Sequence, residues 1–93
     1  DIVFNPKNEK SYLYLAKIFK KEKNTDLEEN NLNTVILINP KNEEAIYLLT
    51  LLSIKKSNFD KAKDLIDTFD NICVKSCFLK EELLRELETS SEQ

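Results

Sequence analysis

Cys73 and Cys77 are the only cysteines, four positions apart with three residues between them. If they share a helix, that spacing puts two thiols one turn apart. Structural zinc takes four N or S ligands, and this chain has no His to complete such a set. The spacing also differs from the C-x-x-C arrangement that activates a thiol for redox exchange. The pair therefore reads as two small, partly buried apolar residues in a reducing, intracellular setting, with no metal and no cofactor.

Other chemistry has little material. Glu28-Glu29 and Glu81-Glu82 read as ordinary helix-surface acids. No Gly is present to cradle a phosphate, and Arg85 is the sole arginine. Ser, Thr and Tyr have no base at a readable spacing, so the chain is not expected to be an enzyme. Lys17, Lys20, Lys21 and Lys23 could meet a phosphate backbone or an acidic partner. They also read as a solvated helix end, where lysine is favoured by the macrodipole. No exposed stacking aromatics flank them, so nucleic acid is not an expected partner.

These residues must be carried by helices. The chain has 93 residues, no Gly and two Pro, with 33% charged and 41% apolar residues. Hairpins usually need Gly at positive φ, so its absence beside abundant Leu, Lys and Glu points to an all-α fold. Residues 1–79 carry balanced charge, and the net charge of −3 lies in residues 80–93. The body therefore lacks the basic surplus of a polyanion binder. No apolar run is long enough to span a membrane, and no signal-peptide pattern opens the chain.

The organisation is a repeat. The pentad Asn5-Pro6-Lys7-Asn8-Glu9 recurs at Asn39-Pro40-Lys41-Asn42-Glu43. Sliding 5–38 onto 39–72 gives identity at 11 of 34 positions, and further positions stay apolar at helical spacing. Each repeat reads as two helices. Tyr12, Leu15, Ala16 and Phe19 form an i, i+3, i+4, i+7 stripe. Lys23-Asn24 breaks that helix, and Thr25 to Glu28 reads as a capping box opening the next. Leu32, Val35 and Ile36 give its apolar face, and Asn39-Pro40 ends it. The second repeat holds Ala45, Ile46, Leu48, Leu49 and Leu52, turns at Ser57-Asn58, and resumes through Leu65, Ile66 and Phe69. Asn8 and Asn42 are placed to cap the first helix of each repeat. "CVKSC" at 73–77 stands where a third pentad would fall. Ser76 reads as N-cap of a last helix carrying Phe78, Leu79, Leu83, Leu84 and Leu87.

This 34-residue pattern resembles the tetratricopeptide repeat (TPR). Tyr12, Leu15, Ala16 and Phe19 fit the family's first helix, "NFDKA" at 58–62 is similar to its turn-aromatic-x-x-Ala signature, and Pro40 closes the first repeat. Glu28 departs from the pattern by standing where the second helix normally has Ala, which implies looser packing there. The resemblance implies antiparallel helix-turn-helix units stacked as a short solenoid with a C-terminal capping helix. The expected organisation is 1–4 as the end of a preceding repeat helix, 5–38 and 39–72 as repeats, 73–89 as the capping helix and 90–93 as a polar tail. The chain itself is expected to be a piece of a longer repeat protein.

The resemblance also implies a concave groove lined by the first helix of each repeat. Leu13, Lys17 and Lys20 would stand there in the first repeat, and Tyr47, Leu51 and Ile54 in the second. The carboxylate clamp of co-chaperone TPR domains is not expected, because the matching positions are Leu13, Lys17, Glu44 and Leu48. Either the last helix or a neighbouring chain covers the Tyr47-Leu51-Ile54 stripe, or the stripe is a groove for a peptide. The function expected is a cytoplasmic protein-protein interaction scaffold in a multi-subunit assembly. Its partners would be a protein or peptide, further repeats of the same chain, or a second copy. The alternative is a helical-repeat RNA binder using the Lys-rich surface.

Overall fold

The computed structural model describes residues 6–92, with side-chain surroundings from Asn8 to Glu92. The expected 1–4 segment and the last residue of the expected tail lie outside them. Five helices follow one another: α1 (Pro6–Lys21), α2 (Thr25–Ile38), α3 (Glu43–Lys55), α4 (Phe59–Ile72) and α5 (Leu79–Ser91). No strand occurs among the described residues, so the all-α reading holds. α1 packs on α2, α3 on α4, and α2 on α3; α5 lies against both α3 and α4.

The turns within the two helix pairs are built alike, 34 residues apart. Lys23 and Ser57 take φ of 60° and 62°. Their N–H groups donate to Lys20 O and Ile54 O, and those of Asn24 and Asn58 reach back to Phe19 O and Ser53 O. This is the Schellman closure that Gly usually serves, here made by Lys and Ser. The next residue then starts the following helix. The Asn24 side chain accepts from Leu27 N at 3.2 Å and that of Asn58 from Lys61 N at 3.4 Å.

Several local expectations are corrected here. Asn24, not Thr25, caps α2, because the Schellman turn already holds Asn24 in place. Asn42 does cap α3, accepting from Ala45 N at 2.9 Å. Asn8 lies inside α1, which begins at Pro6; proline suits a first helical position because its missing N–H would have no partner there. Ser76 is not the cap of α5. That helix begins at Leu79 after Phe78, with no side-chain cap. It also runs to Ser91, past the expected end at 89.

Two apolar clusters meet along α3. One joins Ala16, Leu32 and Val35 to Ala45, Leu49 and Leu52. The other joins Ile46 and Ile54 to Ala62, Ile66 and Phe69, and to Leu83 and Leu87 of α5. α3 is thus buried nearly all round. Its polar members Thr50 and Ser53 satisfy their hydroxyls on their own helix, donating to Ile46 O at 2.7 Å and Leu49 O at 2.9 Å. The looser packing expected of α2 is not general, since Leu32 and Val35 are fully covered. Phe78, expected on the apolar face of the last helix, is instead exposed, as is Val74 in the α4–α5 turn.

The expectation of two separate thiols is also overturned. Cys73 caps the C-terminus of α4 and is disulfide-bonded to Cys77 in the α4–α5 turn. They do not share a helix, because α4 ends at Ile72. The ground for inferring a reducing setting is thereby removed.

Candidate functional site in the cleft between α1, α3 and α5

The six expected groove residues fall into two groups. Leu13, Lys17 and Lys20 lie along α1. Leu13 is half-buried against the first cluster, and Lys17 and Lys20 are exposed. Lys17 forms an ion pair with Glu44 at the start of α3. Both groups stay about half exposed, so the pair is worth little in stability, but it occupies one of the two cations.

Tyr47, Leu51 and Ile54 lie on the α3 face that α5 covers. All three belong to the cluster containing Leu83 and Leu87. Ile54 is only 4% exposed. The Tyr47 hydroxyl donates to Glu82 Oε1 at 3.1 Å, and burial together with that carboxylate raises its pKa. Of the two sources of cover considered from the sequence, the last helix of the same chain is the one that lies there. The physical reason is the stripe itself: Leu83 and Leu87, four residues apart on α5, bury their apolar surface on it.

What stays open is the mouth between the groups. Lys20, Glu28, Leu51, Leu52, Lys55 and Glu86 line a cleft of about 180 Å³. It brings together Lys20 and Leu51 from the expected six. The sequence reading missed the others, and Glu28 is the main correction. Read as a surface acid, it is only 4% exposed. Burial pushes its pKa up, against the opposing pull of Lys20 and Lys55. The repeat alignment held the signal. Glu28 corresponds to Ala62, which is completely buried between α3 and α4, so its burial follows from its place in the repeat.

Glu29, its neighbour, behaves differently. It accepts from Lys56 Nζ at 2.7 Å and Lys61 Nζ at 3.0 Å. Those bonds hold its carboxyl below the usual range and tie α2 to the C-cap of α3 and the first turn of α4.

The described residues contain no group of three His, Cys, Asp or Glu side chains placed to hold a metal ion, and no helix long and apolar enough to cross a membrane. No known protein family, curated protein or solved structure gives a match to this chain.

Proposed function

We propose that this chain is a TPR-like helical-repeat segment that works as an interaction scaffold, receiving a protein or peptide partner at the cleft between α1, α3 and α5. The observation that carries this reading is the composition of the cleft. Leu51 and Leu52 supply an apolar wall, while Lys20, Lys55, Glu28 and Glu86 surround it with both signs of charge. Small-molecule sites generally enclose about 300–1,000 Å³. A cleft of about 180 Å³ suits one anchoring side chain of a larger partner better than a whole cofactor. The RNA-binding alternative is weaker, because Lys17 is already paired with Glu44 and no aromatic stands on the cleft lining for a base to stack on.

The test is affinity purification with the intact chain and with a Lys20→Glu, Glu86→Lys variant. Both positions are exposed, so helix content by circular dichroism should not change. The variant is expected to lose partners that the parent chain retains. An identical partner set would overturn the reading.

A further inference from the structure

The two seams that follow α2 and α4 use the glutamate of the same repeat position, Glu9 and Glu43, and hold it by different means. At the first, Glu9 accepts from two side-chain amides, Asn39 Nδ2 at 2.8 Å and Asn42 Nδ2 at 2.6 Å. At the second, the matching positions are Cys73 and Ser76, which carry no amide. Glu43, the counterpart of Glu9, accepts instead from main-chain N–H groups. Ser76 N lies 2.8 Å from Oε1, Val74 N is 3.0 Å from Oε2, and Lys75 N is more distant at 3.4 Å. These bonds, that of Ser76 foremost, hold the Glu43 carboxyl below its usual range.

The difference has a mechanical meaning. An asparagine side chain can be aimed by its own rotamer. Three successive main-chain N–H groups converge on one carboxylate only while the backbone stays curled. The residues that bracket this curl are Cys73 and Cys77, joined to each other. Helix α5 starts at Leu79, directly beyond, and carries Leu83 and Leu87 onto Ile46, Ile54 and Phe69.

We propose that the Cys73–Cys77 disulfide is a redox site that sets how firmly α5 is held over the α3 face. Oxidised, the bridge keeps the loop curled on Glu43 and fixes the start of α5. Reduced, the loop opens, Glu43 loses its donors, and α5 loosens from Tyr47, Leu51 and Ile54. Cys77 is exposed and Cys73 half-buried, so a reductant reaches the bridge from the Cys77 side. A thiolate of a small dithiol attacks Cys77 Sγ, forms a mixed disulfide there and expels Cys73 as thiolate. The second sulfur of the dithiol then attacks its partner in the mixed disulfide, closes its own disulfide and expels Cys77 as thiolate. Two electrons pass to the protein, and the protons lost by the dithiol complete the two thiols. The loop is short, so its release acts on the local hold on α5 more than on the whole fold.

Hydrogen exchange read by mass spectrometry tests this on the full chain, air-oxidised and after dithiothreitol, with thiol titration reporting the state of the pair. On reduction the amides of 74–76 and of α5 should exchange about tenfold faster, while the Asn39–Asn42 seam stays unchanged. Cys73→Ser with Cys77→Ser should match the reduced form and ignore dithiothreitol. Glu43→Gln with both cysteines kept should speed the same amides in the oxidised form. Equal α5 protection in the two redox states, or two free thiols after oxidation, would overturn the proposal. The parent chain alone supplies both readouts if the double variant fails to fold.

Discussion

The α1–α2 and α3–α4 pairs share turns, caps and register, yet one is a core and the other is nearer a surface. Leu49 is 2% exposed, whereas Leu15, its counterpart, is 38% exposed. Ile54 is buried under α5, whereas Lys20 borders an open cleft. Ala62 lets α3 and α4 approach closely; Glu28 puts a carboxylate in the same place. The lesson is that repeat position sets backbone geometry, while the number of neighbouring helices sets burial. α3 has helices on three sides (α2, α4 and α5), and α1 packs chiefly on α2.

Exchanging residues between the pairs is the most direct way to break this comparison. Ala62→Glu imports the first pair's residue into a fully buried site, where overpacking and an unpaired buried charge combine. Its cost is expected to exceed about 3 kcal/mol, read by urea denaturation. A loss as small as that of a surface substitution would show that the two positions are equivalent after all. Next in size, Leu49→Ala should cost about 2–5 kcal/mol. Leu15→Ala should cost less than about 1 kcal/mol, because much of that side chain is already in water.

The third prediction concerns sign. Glu28 has a raised pKa, so its ionised form is disfavoured in the native state. Glu28→Gln should therefore stabilise the chain at neutral pH, on the order of 1 kcal/mol. In the parent chain, the penalty is absent below the ordinary glutamate range, where the group is protonated folded and unfolded, and develops as pH rises through that range to the raised folded value. Glu29 and Glu43 run the other way. Their lowered values give stability that is present above the ordinary range and lost as pH falls through their folded values. The acid limb of the stability curve should steepen in Glu28→Gln, which keeps only the second kind.

The smallest effect sharpens the likeness rather than the difference. Lys23→Gly and Ser57→Gly each relieve a positive φ and should each add about 0.5–1 kcal/mol. Equal gains by thermal unfolding would confirm that the turns are energetic copies.

What was legible in the sequence was local. The breaks at Lys23-Asn24 and Ser57-Asn58 and the end of α2 before Pro40 depend on residues within a few positions of each other, and the 34-residue period only repeats them. The Asn42 cap and the stripe of α4 are local in the same way, and all match the observed helices. What was not legible depends on how distant turns meet. Nothing within a few residues of Glu43 announces that it binds the 74–76 backbone, since its donors lie about thirty positions on. The Cys73–Cys77 bridge was hidden because the two cysteines read as small, partly buried apolar residues, and the turn that brings them together begins only where α4 ends. Glu28 was an intermediate case: its alignment with Ala62 was visible, but charge alone argued for the surface. The cleft was half legible, because the resemblance to the repeat family implied Lys20 and Leu51 whereas Glu86 enters only through the path of α5.

The seam described above also has a direction. Each glutamate of the pentad accepts from the turn that follows it: Glu9 from Asn39 and Asn42, Glu43 from Val74, Lys75 and Ser76. A turn therefore plays two parts, donor to the helix pair before it and, through its fifth residue, acceptor for the pair after it. The 73–77 turn keeps the first part and has given up the second, because its fifth residue is Cys77 with its sulfur committed to Cys73. At the far edge of the second pair that rule is not written a third time. α5 occupies that edge as a helix of another kind.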